Sequence, residues 1–249
     1  MLNATDPTLD IQTRNTKGST ENIPLLERGE LDLGLATGEV TYEAITGKGR
    51  PRTDAIRIIN ATYSQAGMFM VRADSPYRSI ADLKGKPVVW GAASSGFVVL
   101  ARYVMDGLGL DIEKDFEAIL LQKAGDGPPM VNDGRAAAMW GGGVGWPPFM
   151  AIAKNPAGAR FVSPGAAEIA RIQAKHSFLK GTTMPAGSYP GQEGPINSVG
   201  SWPFVLARAS LPEDIAYRIA RALDKGHAAL ADRLSQARES TLANTLAAA

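Results

Sequence analysis

Apolar residues in this chain fall into short runs and helical stripes that alternate, a pattern that predicts an α/β protein. Leu9, Ile11 and Thr13 alternate between Pro7 and Gly18 and predict a strand over 8–14. Ser19 can cap a following helix that carries Ile23, Leu25 and Leu26 and closes at Gly29. Pro24 suits that helix only if its first turn begins near Asn22. A second strand over 31–36 and a short helix over 39–45 follow. Strand, helix, strand, helix in this order is a βαβ pattern and predicts a parallel sheet.

Two apolar runs, 56–63 and 68–72, flank Gln65-Ala66-Gly67 and predict either a hairpin or two long crossing strands. Val88-Val89-Trp90 reads as a buried strand, and a helix with Phe97, Leu100, Ala101, Val104, Met105 and Leu108 on one face follows. Strands at 116–121, 136–140, 160–162 and 202–207 then alternate with helices at 128–133, 146–153 and 166–175. The stretch 181–201 reads as loop. Ser210-Leu211-Pro212-Glu213 has the form of a capping box and opens a helix bearing Ile215, Ile219 and Leu223. The expected organisation is two α/β lobes, residues 1–73 with 203–249 and residues 74–202.

Composition narrows the function. The 249 residues, 45% of them apolar, suffice for two small cores. Twenty-six basic and 25 acidic residues leave a formal charge of +1, which gives no electrostatic footprint for nucleic acid. The absence of cysteine excludes disulfides, thiolate nucleophiles and thiolate metal sites. No run approaches the roughly 18–20 apolar residues of a membrane span.

Candidate chemistry lies where strands lead into helices, because helix N-termini there present N–H groups to a crevice. Gly91 to Gly96 is the strongest such stretch; Ser94 and Ser95 add hydroxyls suited to a carboxylate or phosphate. A simple N-capped helix after a tight turn would read the same way. Gly18, Ser19 and Asn22 form a second candidate, and Thr37 with Glu39 a third, again with plain capping as the alternative. Trp140, Trp146, Trp202 and Tyr189 could wall a cleft or simply fill a core. His176 and His227 read as solvated surface, and Asp126 and Asp133 as turn and capping residues. No carboxylate pair and no Ser–His–Asp ordering stands out, so neither an enzyme nor a cofactor is expected.

One series of short motifs resembles a known family. Gly18-Ser19-Thr20-Glu21-Asn22, Leu25-Leu26 and Gly29-Glu30-Leu31-Asp32-Leu33-Gly34 resemble the pattern G-G-S-x-E-N-x-x-L-L-x-x-G-x-x-D-L-G of the TAXI family, the solute-binding subunits of one class of TRAP transporters. The likeness continues through Ser79 to Lys86, Gly91 with Ser95-Gly96, Tyr189-Pro190-Gly191-Gln192, Val199-Gly200 with Trp202, and Leu211 to Asp214. It implies a type II periplasmic-binding-protein fold of two α/β lobes with crossover strands. It further implies capture of an amino acid or other carboxylate in an interlobe cleft and delivery to TRAP membrane subunits from the periplasm, by a protein expected to be monomeric. By position, the cleft-lining residues would be Gly18, Ser19, Asn22, Thr37, Glu39, Ser94, Ser95, Gly96, Phe97, Trp140 and Tyr189. Two other readings suit a bilobed fold: an enzyme, and the effector-binding domain of a regulator.

Departures from the family pattern carry their own expectations. Ser94-Ser95-Gly96-Phe97 stands where members commonly read Gly-Ser-Gly-Thr, exchanging a hydroxyl for a ring. With Trp140 and Trp146 nearby in the pattern, this favours an aromatic solute. The strand and G-x-Y-Y-P-x-G turn with which members begin have no counterpart here, and the closing helix looks short. The expectation is a chain truncated at both ends, with a weakened first lobe and exposed strand edges. The opening residues show neither the basic nor the apolar stretch of a signal peptide.

Overall fold

The structure, a computed structural model, describes residues 2–248. Helices α1 (Leu2–Thr5) and α2 (Ser19–Glu27) precede strand β1 (Leu33–Ala36), helix α3 (Gly38–Thr46) and strand β2 (Ile56–Ala61). Next come β3 (Gln65–Ala66), β4 (Met68–Arg72), β5 (Pro87–Ala92), α4 (Gly96–Gly107), β6 (Glu117–Leu121), α5 (Gly127–Asn132) and β7 (Ala138–Gly141). They lead to α6 (Pro147–Ala153), β8 (Ala159–Val162), α7 (Ala166–Lys175), β9 (Lys180–Met184) and β10 (Ile196–Ser201). Strand β11 (Phe204–Arg208) and helices α8 (Glu213–Ala231) and α9 (Leu242–Ala248) follow. The chain divides into two compact units, the second being Gln65–Ser201 and the first the residues on either side of it.

In unit 1 the sheet order is β1-β11-β2, and both pairings are antiparallel. The parallel pair expected from the first 45 residues does not form. Residues 8–14 are irregular because the side-chain amide of Asn3, not a strand, takes the backbone of Ile11: it donates to the Ile11 carbonyl at 3.0 Å and accepts its N–H at 2.9 Å. Leu9 and Ile11 nevertheless pack on α8 with Ile215 and Ile219. Helix α2 begins at Ser19 rather than near Asn22 and carries Pro24 inside it, so one helical N–H is missing from its middle. The two outer strands differ. Along β2, Thr245 of α9 accepts hydrogen bonds from the Asn60 side chain and the Ala61 N–H, both at 3.0 Å. Among the described residues strand β1 has no further strand on its outer side, Leu35 is 59% exposed, and a cavity of about 520 Å³ lies between residues 8–14, residues 30–33 and α8.

Unit 2 holds a five-stranded mixed sheet in the order β6-β5-β7-β4-β8, with β5 parallel to both neighbours and β4 antiparallel to both of its own. The runs at 56–63 and 68–72 therefore lie in different sheets and make no hairpin. Residues 65–73, expected with the first lobe, belong here because β4 is held between β7 and β8. Phe69, Trp90 and Trp140 are fully buried and meet edge-on or tilted, with ring centroids 4.9–6.0 Å apart. Helix α4 lays its apolar stripe on this cluster. The stretch read as loop, 181–201, holds most of β9 and all of β10, which form a second small sheet with β3.

Backbones come very close where β3 meets β10 and the turn after β7. A Cβ on Gly200 would stand 1.5 Å from the Gln65 carbonyl oxygen, and one on Gly142 would stand 1.7 Å from that of Ala66. Only glycine fits either place. His176, expected on the surface, is 5% exposed: its Nε2 lies 2.7 Å from Asp106 Oδ2, and its ring meets Tyr103 edge-on. His227 is half-buried, with Nε2 3.2 Å from the Arg238 carbonyl oxygen.

Candidate functional site

In each unit the sequence-predicted residues sit where a strand runs out into a helix. In unit 1, β1 ends at Ala36 and Thr37 is the N-cap of α3. Gly18 holds the same place before α2 with φ 130°, a conformation that favours glycine. The two helix starts are joined directly, because the Ser19 hydroxyl accepts a hydrogen bond from the Thr37 N–H at 3.2 Å. The Asn22 amide donates from Nδ2 to the Leu35 carbonyl at 2.7 Å, which holds it at the end of the strand. Gly34 lets α2 approach β1 this closely, since a Cβ there would lie 3.2 Å from the Leu26 side chain and 3.4 Å from Asn22 Cβ. A glycine inside a predicted strand was the sequence signal for that approach.

Ser19, Asn22, Thr37 and Glu39 are all buried, and Glu39 is completely so. A carboxylate in the first turn of α3 is favourably placed against the helix dipole. Asn22 Oδ1 and Thr37 Oγ1 are buried and meet no hydrogen-bond partner among the described residues. The five sequence-predicted residues of this unit, Gly18, Ser19, Asn22, Thr37 and Glu39, thus gather around one strand end.

In unit 2 the corresponding helix start follows β5. Gly91 takes φ 116° before the turn, and Ser95 caps α4 by accepting from the Phe97 N–H at 3.2 Å. The Phe97 ring packs against Trp146 with centroids 5.3 Å apart. Ser94, Ser95, Gly96 and Phe97 lie together at this helix start. Trp140 and Tyr189 are bonded to backbone groups nearby. Trp140 is fully buried, and its indole Nε1 donates to the Phe97 carbonyl at 2.8 Å. Tyr189 is 3% exposed; its hydroxyl donates to the Gly143 carbonyl at 2.6 Å and accepts from the Trp146 N–H at 2.8 Å. Burial pushes this phenol far above the ordinary tyrosine range. Trp140 thus holds Phe97, and Tyr189 holds Trp146. Their large apolar bodies read alike for wall and core, and only their partners distinguish the two.

Residues 2–249 match the NMT1-like family. The chain belongs to that family. Its fold is the two-unit α/β fold of periplasmic binding proteins, as solved structures show. The periplasmic aliphatic sulphonate binding protein SsuA from Escherichia coli matches with a TM-score of 0.57 at 20% identity, over 100% of this chain and 72% of that one. The alkanesulfonate-binding protein SsuA from Xanthomonas axonopodis pv. citri, bound to MOPS, gives 0.54 at 16% identity, over 96% and 71%. A structure from work on glutathione import through GshT and the cystine ABC importer TcyBC of Streptococcus mutans gives 0.53 at 12% identity, over 97% and 82%.

Proposed function

We propose that this NMT1-like chain is a periplasmic solute-binding protein that captures a small organic anion without chemical change and delivers it to membrane transport subunits. The observation that carries the reading is the joining of two helix N-termini at the end of β1 through Ser19 and Thr37. First-turn N–H groups lack intrahelical acceptors, and the helix dipoles add to their attraction for negative charge. In this reading Gly18, Ser19, Asn22, Thr37 and Glu39 are the candidate solute contacts of unit 1, taken by itself, and Ser94, Ser95, Gly96 and Phe97 are those of unit 2. The solute is an amino acid or other carboxylate. The Phe97 and Trp146 rings, 5.3 Å apart, favour an aromatic one.

Delivery to TRAP subunits by a TAXI-type protein is supported by the ordered motifs from Gly18 to Asp214. A second reading, delivery to an ABC importer, draws on structural relatives described as ABC-transporter proteins, including the substrate binding protein of an amino acid ABC transporter. Titration calorimetry with amino acids, dicarboxylates, sulfonates and aromatic acids tests the binding function, and silence across all four classes overturns it. Glutamate binding as well as aromatic carboxylates would overturn the aromatic preference. Purification with a large permease and no ATP-hydrolysing subunit supports the TRAP reading; an ATP-hydrolysing partner supports the other.

A further inference from the structure

Strand β8 forms one flank of the five-stranded sheet, and among the described residues no strand lies beyond it. Its bonds to β4 fix which of its backbone groups are free. The Ala73 N–H donates to the Gly158 carbonyl, and the register sets Val71 opposite Arg160 and Phe69 opposite Val162. Residues 158, 160 and 162 therefore bond toward β4, while Ala159, Phe161 and Ser163 turn their N–H and C=O groups outward. No described residue makes a hydrogen bond to these outward groups.

A cavity of about 330 Å³ lies along this strand, with residues 159–163 on one side and residues 190–196 on the other, all of them in unit 2. Both walls are braced. The Arg160 guanidinium donates to the carbonyls of Ala73, Ser75 and Tyr77, which pins β8 to the turn after β4. Opposite, Gln192 Nε2 donates to the Pro185 and Gly194 carbonyls, and the Gln192 N–H donates to the Tyr189 carbonyl. Met70, Phe161 and Ile196 give the cavity an apolar side.

Unpaired strand groups beside an apolar pocket suit a ligand that brings its own backbone donors and acceptors. An extended chain in a sheet takes up roughly 160 Å³ per residue, from spacings of about 4.8 Å and 10 Å and a rise of about 3.4 Å. The cavity thus has room for about two residues of a single strand. A second copy of the protein would bring a whole sheet, and a stable pair buries about 1,200 Å² or more, which a slot walled by residues 190–196 does not offer.

We propose that this slot is a peptide-binding site, separate from the helix starts after β1 and β5. It takes a short extended segment of a partner protein as a sixth strand beside β8, with an apolar side chain seated among Met70, Phe161 and Ile196. The site stands independently of the solute-binding reading.

The test titrates the isotope-labelled chain with four capped tetrapeptides, acetyl-Thr-X-Thr-Val amide, in which X is Val, Leu, Ile or Phe. At least one should shift the amide signals of Ala159, Phe161 and Ser163 saturably. The same peptide with N-methylated backbone amides keeps its side chains and should bind about tenfold weaker or worse. A Cβ on Gly194 meets nothing within 4 Å, so Gly194→Trp can fill the slot without a backbone clash and should abolish the shifts. Should that variant melt lower, Ser163→Pro, which removes one outward N–H, should weaken binding about threefold or more. Silence of these amides with all four peptides overturns the proposal. So does equal binding of the methylated peptide, or binding that both variants leave untouched. Shifts at the same amides on raising protein concentration alone assign the edge to a second copy, and also overturn it.

Discussion

The indole Nε1 of Trp140 donates a 2.8 Å hydrogen bond to the carbonyl of Phe97, tying the end of β7 to the first turn of α4. Trp140→Phe removes that donor and leaves a space beside Phe69 and Trp90. The expected loss is about 2–3 kcal/mol of unit 2 stability, read as a lower urea midpoint.

Tyr189→Phe deletes one oxygen with two duties, the bond to Gly143 and the bond from Trp146. Both backbone groups lose their partner. A cost of about 1–3 kcal/mol follows, with a change in tryptophan fluorescence as Trp146 loosens against Phe97. Unchanged fluorescence and melting would contradict the positioning role given to Tyr189.

Glycine substitutions should separate sharply. Gly142→Ala and Gly200→Ala drive a methyl to 1.7 Å and 1.5 Å from backbone oxygens, so each should cost more than about 3 kcal/mol or prevent folding. Gly29→Ala, with φ 70° and no atom within 4 Å of the new Cβ, should cost only about 1–2 kcal/mol. Thermal melts of the three variants decide this.

Asp106 bridges Lys175 and His176, with bonds of 2.8 Å and 2.7 Å. The hydrogen bond from Lys175 holds its carboxyl below the ordinary range, outweighing the opposing effect of burial, and His176 adds to it. A carboxyl lowered in the folded state stabilises the fold above its unfolded pKa, about 3.9, and that contribution fades as pH falls through the folded value. Asp106→Asn should therefore melt lower than the unaltered chain at pH 7 and show a shrinking difference below pH 4. A difference constant from pH 7 to pH 2 would refute the pairing.

Periodicity found most of the chain's elements because strands and helices of unit 2 are buried on one face or both, and burial is what apolar patterning records. It erred where pairing is decided by distant residues. Residues 8–14 alternate like a strand, yet Asn3 supplies the bonds a neighbouring strand would have given Ile11. Strands β9 and β10 were hidden among glycines and prolines because their pairing with each other, and with β3, stabilises what local propensity does not. The meeting of Ser19 and Thr37 at the end of β1 lay at strand-to-helix junctions that the sequence marks, since Ser and Thr favour helix starts. What could not be read was which way Trp140 and Tyr189 face, or that Asn22 and Thr37 keep unused oxygens. Those are facts of three-dimensional company.

The unequal flanks of the unit 1 sheet set a limit on self-assembly. Thr245 takes the Ala61 N–H on the β2 side, while among the described residues β1 has no strand beyond it and Leu35 lies exposed. Two copies joined strand to strand through β1 use up both open flanks at once. Association by that route ends at a pair and cannot lengthen into a fibre.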